Sequence, residues 1–256
     1  MTDYNVIAHA YRETKSLPIK QYSEAFTLFR VLGSVHGLAV LDVACGDGYC
    51  TRAMKRQGAS RVMGVDSSHI MITYAQHEEA THPLGIEYVI SEAETMAMLG
   101  PFDVVTAAYL LVHATTRHQL AAMCQAIVKQ LKPGGRFVAL TINPHLVPDQ
   151  LPRVEHYRSG VTVQGPLHEG AALDITMLTA GGPLHLRDYY WSQQTYESVL
   201  HQVGFKRVVW HAMQVSSEGV ETYGSAYWQA YLTRPHIVVL EAQKCKAEGL
   251  WVESQK

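Results

Sequence analysis

Gly46 and Gly48 stand one residue apart, flanked by Asp42 and Asp47. Glycine has no Cβ, so a loop built on two of them turns sharply and lets a ligand touch the main chain. A dinucleotide site would carry a third glycine at position 51, where helix and strand close around a pyrophosphate. Thr51 stands there instead, and two carboxylates beside the loop would repel phosphate. The loop suits a ligand with an ammonium and a ribose and no phosphate. Asp66 follows Gly46 by 20 residues, the interval at which an acid at a strand end reaches ribose hydroxyls. His113 can orient or deprotonate an acceptor, because an imidazole titrates near neutral pH. The plainer role for His113 is a hydrogen bond to a loop carbonyl. Tyr109, just before it, is a core or cofactor contact or a second catalytic side chain.

These residues need strand ends to hold them. Val40, Leu41 and Val43 read as a buried parallel strand, and a helix with Met54 on one side and Arg52, Lys55 and Arg56 on the other follows the glycines. Arg61 to Asp66 is a second strand, Ile86 to Ile90 a third, Phe102 to Leu111 a fourth and Arg136 to Ile142 a fifth. Ser67 is placed to cap a helix running to about His82. Thr115, Thr116 or Arg117 opens another that ends at Leu131. Strands alternating with helices from 38 to 142 predict a doubly wound parallel sheet, with ligands at the carboxyl ends of its strands.

Four segments in order resemble the class I S-adenosylmethionine (SAM)-dependent methyltransferases. They are Val40 to Tyr49, Gly64-Val65-Asp66, Phe102-Asp103-Val104-Val105 and Leu131 to Phe137. The resemblance implies an α/β, doubly wound, mostly parallel seven-stranded sheet with N-terminal helices and an insertion covering the site. It implies that Asp42, Ala44, Gly46 and Gly48 cradle the methionine part of SAM and that Asp66 and Ser67 meet the ribose. Glu92 and Ala93 would meet the adenine; Glu92 stands where the family usually has Asp. Tyr4, Tyr11 and Lys20 of the N-terminal helices would line the site, and His113 would face the acceptor. S-adenosylhomocysteine would be the product. Tyr189-Tyr190-Trp191 and the Tyr223 to Trp228 stretch bear a slighter resemblance to toxoflavin synthase-like enzymes, which methylate ring nitrogens.

The chain in order gives one domain, 1–256. Residues 1–37 form a helical cover, with helices over 3–15 and 19–32; Tyr22, Phe26 and Phe29 make the apolar stripe of the second. Residues 38–142 are the SAM-binding core. Residues 143–190, rich in proline and glycine, break the rhythm and read as an acceptor-side insertion. In it two antiparallel strands flank Gly181-Gly182-Pro183. Residues 191–244 complete the sheet, with a helix over 193–203, another over 219–232, and strands at Phe205 to Trp210 and Ile237 to Ala242. The tail 245–256 is polar. Tyr189, Tyr190 and Trp191 close the insertion and are expected to wall the acceptor pocket. Trp191 shares a side with Tyr189 by strand alternation.

Composition bounds the partners. Of 256 residues 47% are hydrophobic and 17% charged, enough apolar material for one large core. A net charge of −2 argues against nucleic acid, which usually demands a basic face. No apolar run is long enough to span a bilayer, and the four cysteines form no C-x-x-C pair, so a cytoplasmic protein with reduced thiols is expected. The histidine pairs His77/His82 and His113/His118 are five apart, not the four of a helical metal pair, and no metal site is expected. The reading is a methyltransferase acting on nitrogen or oxygen of a small, planar heteroaromatic acceptor, as a monomer or homodimer. The alternative is a SAM-binding module of the same fold without turnover. A nicotinamide oxidoreductase is disfavoured by Thr51 and the acidic loop.

Overall fold

The computed structural model describes residues 3–246. The expected polar tail lies outside them from residue 247 on. The cover is α1 (Tyr4–Glu13), a π-helical turn (Ile19–Ala25) and α2 (Phe26–Leu32). The core runs β1 (Ala39–Val43), α3 (Tyr49–Arg56), β2 (Arg61–Asp66), α4 (His69–Thr81), β3 (Glu87–Ile90), β4 (Phe102–Ala108), α5 (Arg117–Gln130) and β5 (Leu131–Ile142). The insertion holds α6 (Val154–Tyr157), β6 (Ser159–Val163), β7 (Ala172–Thr179) and β8 (Gly182–Tyr189). Then follow α7 (Gln193–Val203), β9 (Phe205–His211), α8 (Ser217–Tyr223), α9 (Ser225–Thr233) and β10 (Ile237–Lys244).

Among the described residues β3-β2-β1-β4-β5-β10-β9 form one sheet and β6-β7-β8 another. The large sheet is parallel from β3 to β5, and β10 pairs antiparallel with both β5 and β9. Strand order reverses between β1 and β4, so the crevice opens beyond their carboxyl ends. Val40, Val104 and Val138 face α2, α9 and the small sheet; Leu41, Val105 and Phe137 face α5 and α7. Each such side chain, buried on a two-faced sheet, contributes roughly 1.5–3 kcal/mol.

Several expected elements differ. The stripe Tyr22, Phe26 and Phe29 is only half-buried; Ile19, Ser23, Glu24, Thr27, Leu28 and Leu32 face inward. The π-helical turn rotates the face; the Ser23 hydroxyl donates to the Gln214 carbonyl and the Thr27 hydroxyl to the Ser23 carbonyl, each at 2.7 Å. Ser68, not Ser67, caps α4, accepting from the Met71 amide. The helix expected over 219–232 is broken at Gly224, whose φ of +80° a helix cannot use. The small sheet gains β6, whose glycine-containing sequence carried no clear strand pattern. β4 ends at Ala108 because Tyr109 turns left-handed, with φ +67°.

Candidate functional site

The loop after β1 is made by left-handed backbone. Ala44 has φ +58°, Gly46 +57° and Gly48 +83°. The two glycines do different work. A side chain at Gly46 would meet nothing within 4 Å, so that flank is open to a ligand. A side chain at Gly48 would run into the Tyr88 hydroxyl, so its space is already filled from β3. Gly48 therefore lets the loop pack on Tyr88, and it lines neither of the two cavities beside the loop.

Asp42 is served by two hydroxyls. Thr51 Oγ1 donates to one carboxylate oxygen at 2.6 Å and Thr106 Oγ1 to the other at 2.8 Å. Thr51 thus has a structural task where a dinucleotide site would have glycine. Burial pushes the Asp42 carboxyl up to about 6, against the pull of the two hydroxyls. Asp66 is half-buried at the end of β2. Its oxygens accept from the Gly46 and Ser68 amides, both at 2.8 Å. Each oxygen keeps a second lone pair for a ligand hydroxyl. Burial raises the Asp66 carboxyl despite these two amides.

The first cavity is lined by Ala44, Gly46, Asp66, Ser67, Glu92, Ala93, Tyr109 and His113, with Tyr4 and Tyr11 of the cover. The strand ends therefore bring together the residues expected there. Lys20 lines the second cavity, which meets the first at Tyr11, Ala44, Gly46 and Tyr109. Its ammonium sits 3.9 Å over the Tyr109 ring, donates to the Tyr109 hydroxyl at 2.7 Å and pairs with Glu24 at 3.0 Å. Tyr109 also donates to Glu24. The cover is tied down at two further points. Arg12 and Lys15 pair with Asp47 of the glycine loop, and Asn5 Oδ1 accepts from Ser68 Oγ at 2.8 Å.

His113 ends the short turn Leu111–His113 after β4. Its Nε2 lies 3.2 Å from the Tyr4 hydroxyl. Its Nδ1 faces Asp188 Oδ1 of β8 at 3.5 Å. Burial lowers the imidazole to about 4 and pushes the Asp188 carboxyl up to about 7, the latter opposed by the charge of Lys20.

The expected aromatic wall is elsewhere. Trp191 is buried on the α5/α7 face, with Nε1 donating to the Ala114 carbonyl at 2.9 Å. The ring belongs to the core because the chain is there turning into α7. Tyr190 donates to the Pro144 carbonyl at 2.8 Å. None of Tyr189, Tyr190 and Trp191 lines either cavity; Tyr4, Tyr11, Tyr49 and Tyr109 supply the tyrosine rings there. Trp228 and Tyr231 are part of the main core on the face of the large sheet that α2 covers, with Trp228 Nε1 donating to the Gly219 carbonyl.

Two site groups escaped the sequence reading, Glu24 and Asp188. Asp188 had a signal. Leu184 and Leu186 sit on the buried side of β8, and Asp188 is the next position of that side. A carboxylate on a buried parity asks for a partner. Glu24 had none, because the π-helical turn that brings it inward does not show in side-chain spacing.

Residues 40–135 match the family model described as a methyltransferase domain. A ubiquinone biosynthesis O-methyltransferase of Pseudomonas paraeruginosa is 37% identical over 109 residues, 42% of this chain and 45% of that protein. The chain thus spans about half the length of the ubiquinone-biosynthesis relatives it matches. An N-demethylindolmycin N-methyltransferase of Streptomyces griseus is 26% identical over 171 residues, 66% of this chain and 70% of that one. Among solved structures, a SAM-dependent methyltransferase from Mesorhizobium loti superposes with a TM-score of 0.62 at 21% identity, covering 90% of this chain and all of that one (100%). The CcbJ methyltransferase from Streptomyces caelestis gives 0.65 at 18%, over 93% and 96%. At these identities the structural likeness is one of fold. A methyltransferase domain is matched across the glycine loop and the strand-end acid, and the sheet that reverses between β1 and β4 above them has the fold of the SAM-dependent methyltransferases.

Proposed function

We propose that this chain transfers the methyl group of SAM to a nitrogen or oxygen of a small, planar, heteroaromatic acceptor, leaving S-adenosylhomocysteine. The observation that carries the reading is one cavity lined at once by Gly46, Asp66, Glu92 and His113. The lining fits the donor. The flank of Gly46 is free for the methionine part, beside the left-handed backbone of Ala44. Asp66 keeps a lone pair on each oxygen for ribose hydroxyls, with Ser67 next to it. Glu92 and Ala93 lie where the adenine would reach, and Tyr11 and Lys20 close the space from the cover side.

SAM supplies an activated methyl with its own leaving group, so the protein's task is to hold and align. Gly46, Asp66 and Glu92 fix the donor end. His113 orients the acceptor, and Tyr109 shapes the boundary between the two cavities. Tyr4, Tyr11 and Tyr109 give the cavity an aromatic lining, which favours a planar acceptor. Two relatives are named for methylation at oxygen and at nitrogen respectively, and both atoms stay open here. Residues 143–190 act as the acceptor-side cover in this reading. The net charge of −2 speaks against a nucleic-acid acceptor. Among the described residues no helix is long and apolar enough to cross a membrane.

The test is a metabolite-library screen with SAM carrying a deuterated methyl, read by mass shift. A labelled planar metabolite together with S-adenosylhomocysteine is expected. Labelled acceptors that are all non-planar would overturn the acceptor class. No S-adenosylhomocysteine with any acceptor would favour a module that binds the donor without turnover.

A further inference from the structure

His113 Nδ1 and Asp188 Oδ1 are both buried, neither has a hydrogen-bond partner among the described residues, and they face each other across 3.5 Å. Two buried polar atoms left unpaired so close together are a hydrogen bond waiting for a proton to be placed between them. The backbone that carries the imidazole is held in place. The His113 amide donates to the Leu110 carbonyl at 3.1 Å, and Trp191 clamps the next residue through the Ala114 carbonyl. Asp188 rides on β8, so the partner of His113 is delivered by the insertion and not by the SAM-binding core. At the other side of the ring, Nε2 is met by the hydroxyl of Tyr4, a phenol that also lines the cavity. A phenolic O–H therefore already fits the place where an acceptor would offer its proton.

We infer that Asp188 and His113 form a proton-accepting pair, in which Asp188 orients the imidazole and holds its proton, and that the acceptor is one that loses a proton on methylation: a phenol, an enol or a ring N–H. The inference rests on the methyl-transfer reading for its chemistry. The step balances as follows. The acceptor oxygen or nitrogen forms a bond to the methyl carbon, and the carbon–sulfur bond breaks with its electron pair left on sulfur. The acceptor's proton passes to His113 Nε2 while the Nδ1 proton passes to Asp188. The pair then gives one proton to water.

The electrostatics agree in direction. Burial disfavours charge on either partner alone, lowering His113 to about 4 and raising Asp188 to about 7. Between these values the pair keeps one proton on the carboxyl beside a neutral ring, and on passing pH 7 it becomes able to accept one. Lys20 is the cation that bears on Asp188. Tyr4 and Tyr11 on α1 and Tyr196 on α7 are pushed well up by burial and stay protonated throughout. Asp66 is the remaining carboxylate whose charge reaches Tyr4.

The test needs no acceptor. Nitrogen-15 NMR of the histidine rings, with His113 assigned by its loss in His113→Gln, is followed from pH 5 to 9 in the wild type and in Asp188→Asn. A transition at His113 with a midpoint near 7 is expected in the wild type. In Asp188→Asn it should vanish, because an amide cannot hold the proton and burial keeps the ring neutral. Asp188→Glu should restore a transition, which separates proton holding from mere filling of space and serves if the Asn variant fails to fold. An unchanged transition in Asp188→Asn, or none in the wild type, overturns the pair. These outcomes are independent of turnover, so they fail separately from the methyl-transfer reading. In the metabolite screen, a product methylated without loss of a proton would overturn the acceptor class.

Discussion

The donor half and the acceptor half of the crevice are built in opposite ways. On the donor side Asp66 is held by near neighbours in the β1–β2 segment, while Asp42 takes one partner from α3 and one from Thr106 of β4. Asp66 accepts from amides 2 and 20 residues away, and Asp42 from a hydroxyl 9 residues on. On the acceptor side, partners come from distant parts of the chain. Tyr4 and His113 are 109 residues apart, Lys20 and Tyr109 are 89 and Glu24 and Tyr109 are 85. The donor half lies within the parallel core, its turn held by β1, β2 and their neighbours β3 and β4. The acceptor half exists only after cover, core and insertion have docked. Donor binding and acceptor handling should therefore be separable by substitution.

The sharpest separation is expected at His113. His113→Ala should lower kcat by about 10²–10⁴-fold, the usual contribution of a positioned proton acceptor. Its affinity for S-adenosylhomocysteine, measured by calorimetry, should stay at the wild-type value. Wild-type turnover at saturating acceptor would return the imidazole to a purely structural place.

Trp191→Ala is expected to act on stability alone. Emptying that much buried ring costs about 3–5 kcal/mol, visible as a lower Tm, while the acceptor KM should not move. A raised KM at unchanged Tm would put the ring back in the pocket. Asp66→Ala should weaken S-adenosylhomocysteine more than tenfold, since each hydrogen bond to a charged group contributes roughly 1.5–3 kcal/mol. It also strips the Gly46 and Ser68 amides of their acceptor, so some loss of Tm should accompany it. Unchanged affinity would sever Asp66 from the ribose.

The smallest effect concerns Asp42. Its folded pKa is raised to about 6, above the ordinary value near 3.8. Such a group favours the folded state most below the unfolded pKa, and that advantage is lost as pH rises through 6. The wild-type Tm should carry this falling contribution between about pH 4 and pH 6, and Asp42→Asn should lack it. Identical Tm profiles for the two proteins would contradict the raised carboxyl.

The same contrast decides what the sequence could say. The sheet, the glycine turn, Asp66 and the place of His113 were legible because strand, turn and helix each leave a periodic mark over a few residues. Gly48 read correctly as a turn residue, but the reason it must stay small, the Tyr88 hydroxyl from β3, is a tertiary contact. Trp191 misled because alternation sorts side chains into two faces without saying which face meets a ligand. Glu24 was hidden by a π-helical turn that shifts the helical period. Asp188 was within reach, as a carboxylate in step with Leu184 and Leu186, but its partner His113 belongs to another element.

The most direct measurement is a calorimetric titration of the unmodified protein with S-adenosylhomocysteine and, in parallel, with NAD. Saturable one-site binding of S-adenosylhomocysteine and none of NAD is expected from an open Gly46 flank, an acidic loop and Asp66 at the end of β2. Binding of NAD, or no binding of S-adenosylhomocysteine, would contradict the donor site on which the rest depends.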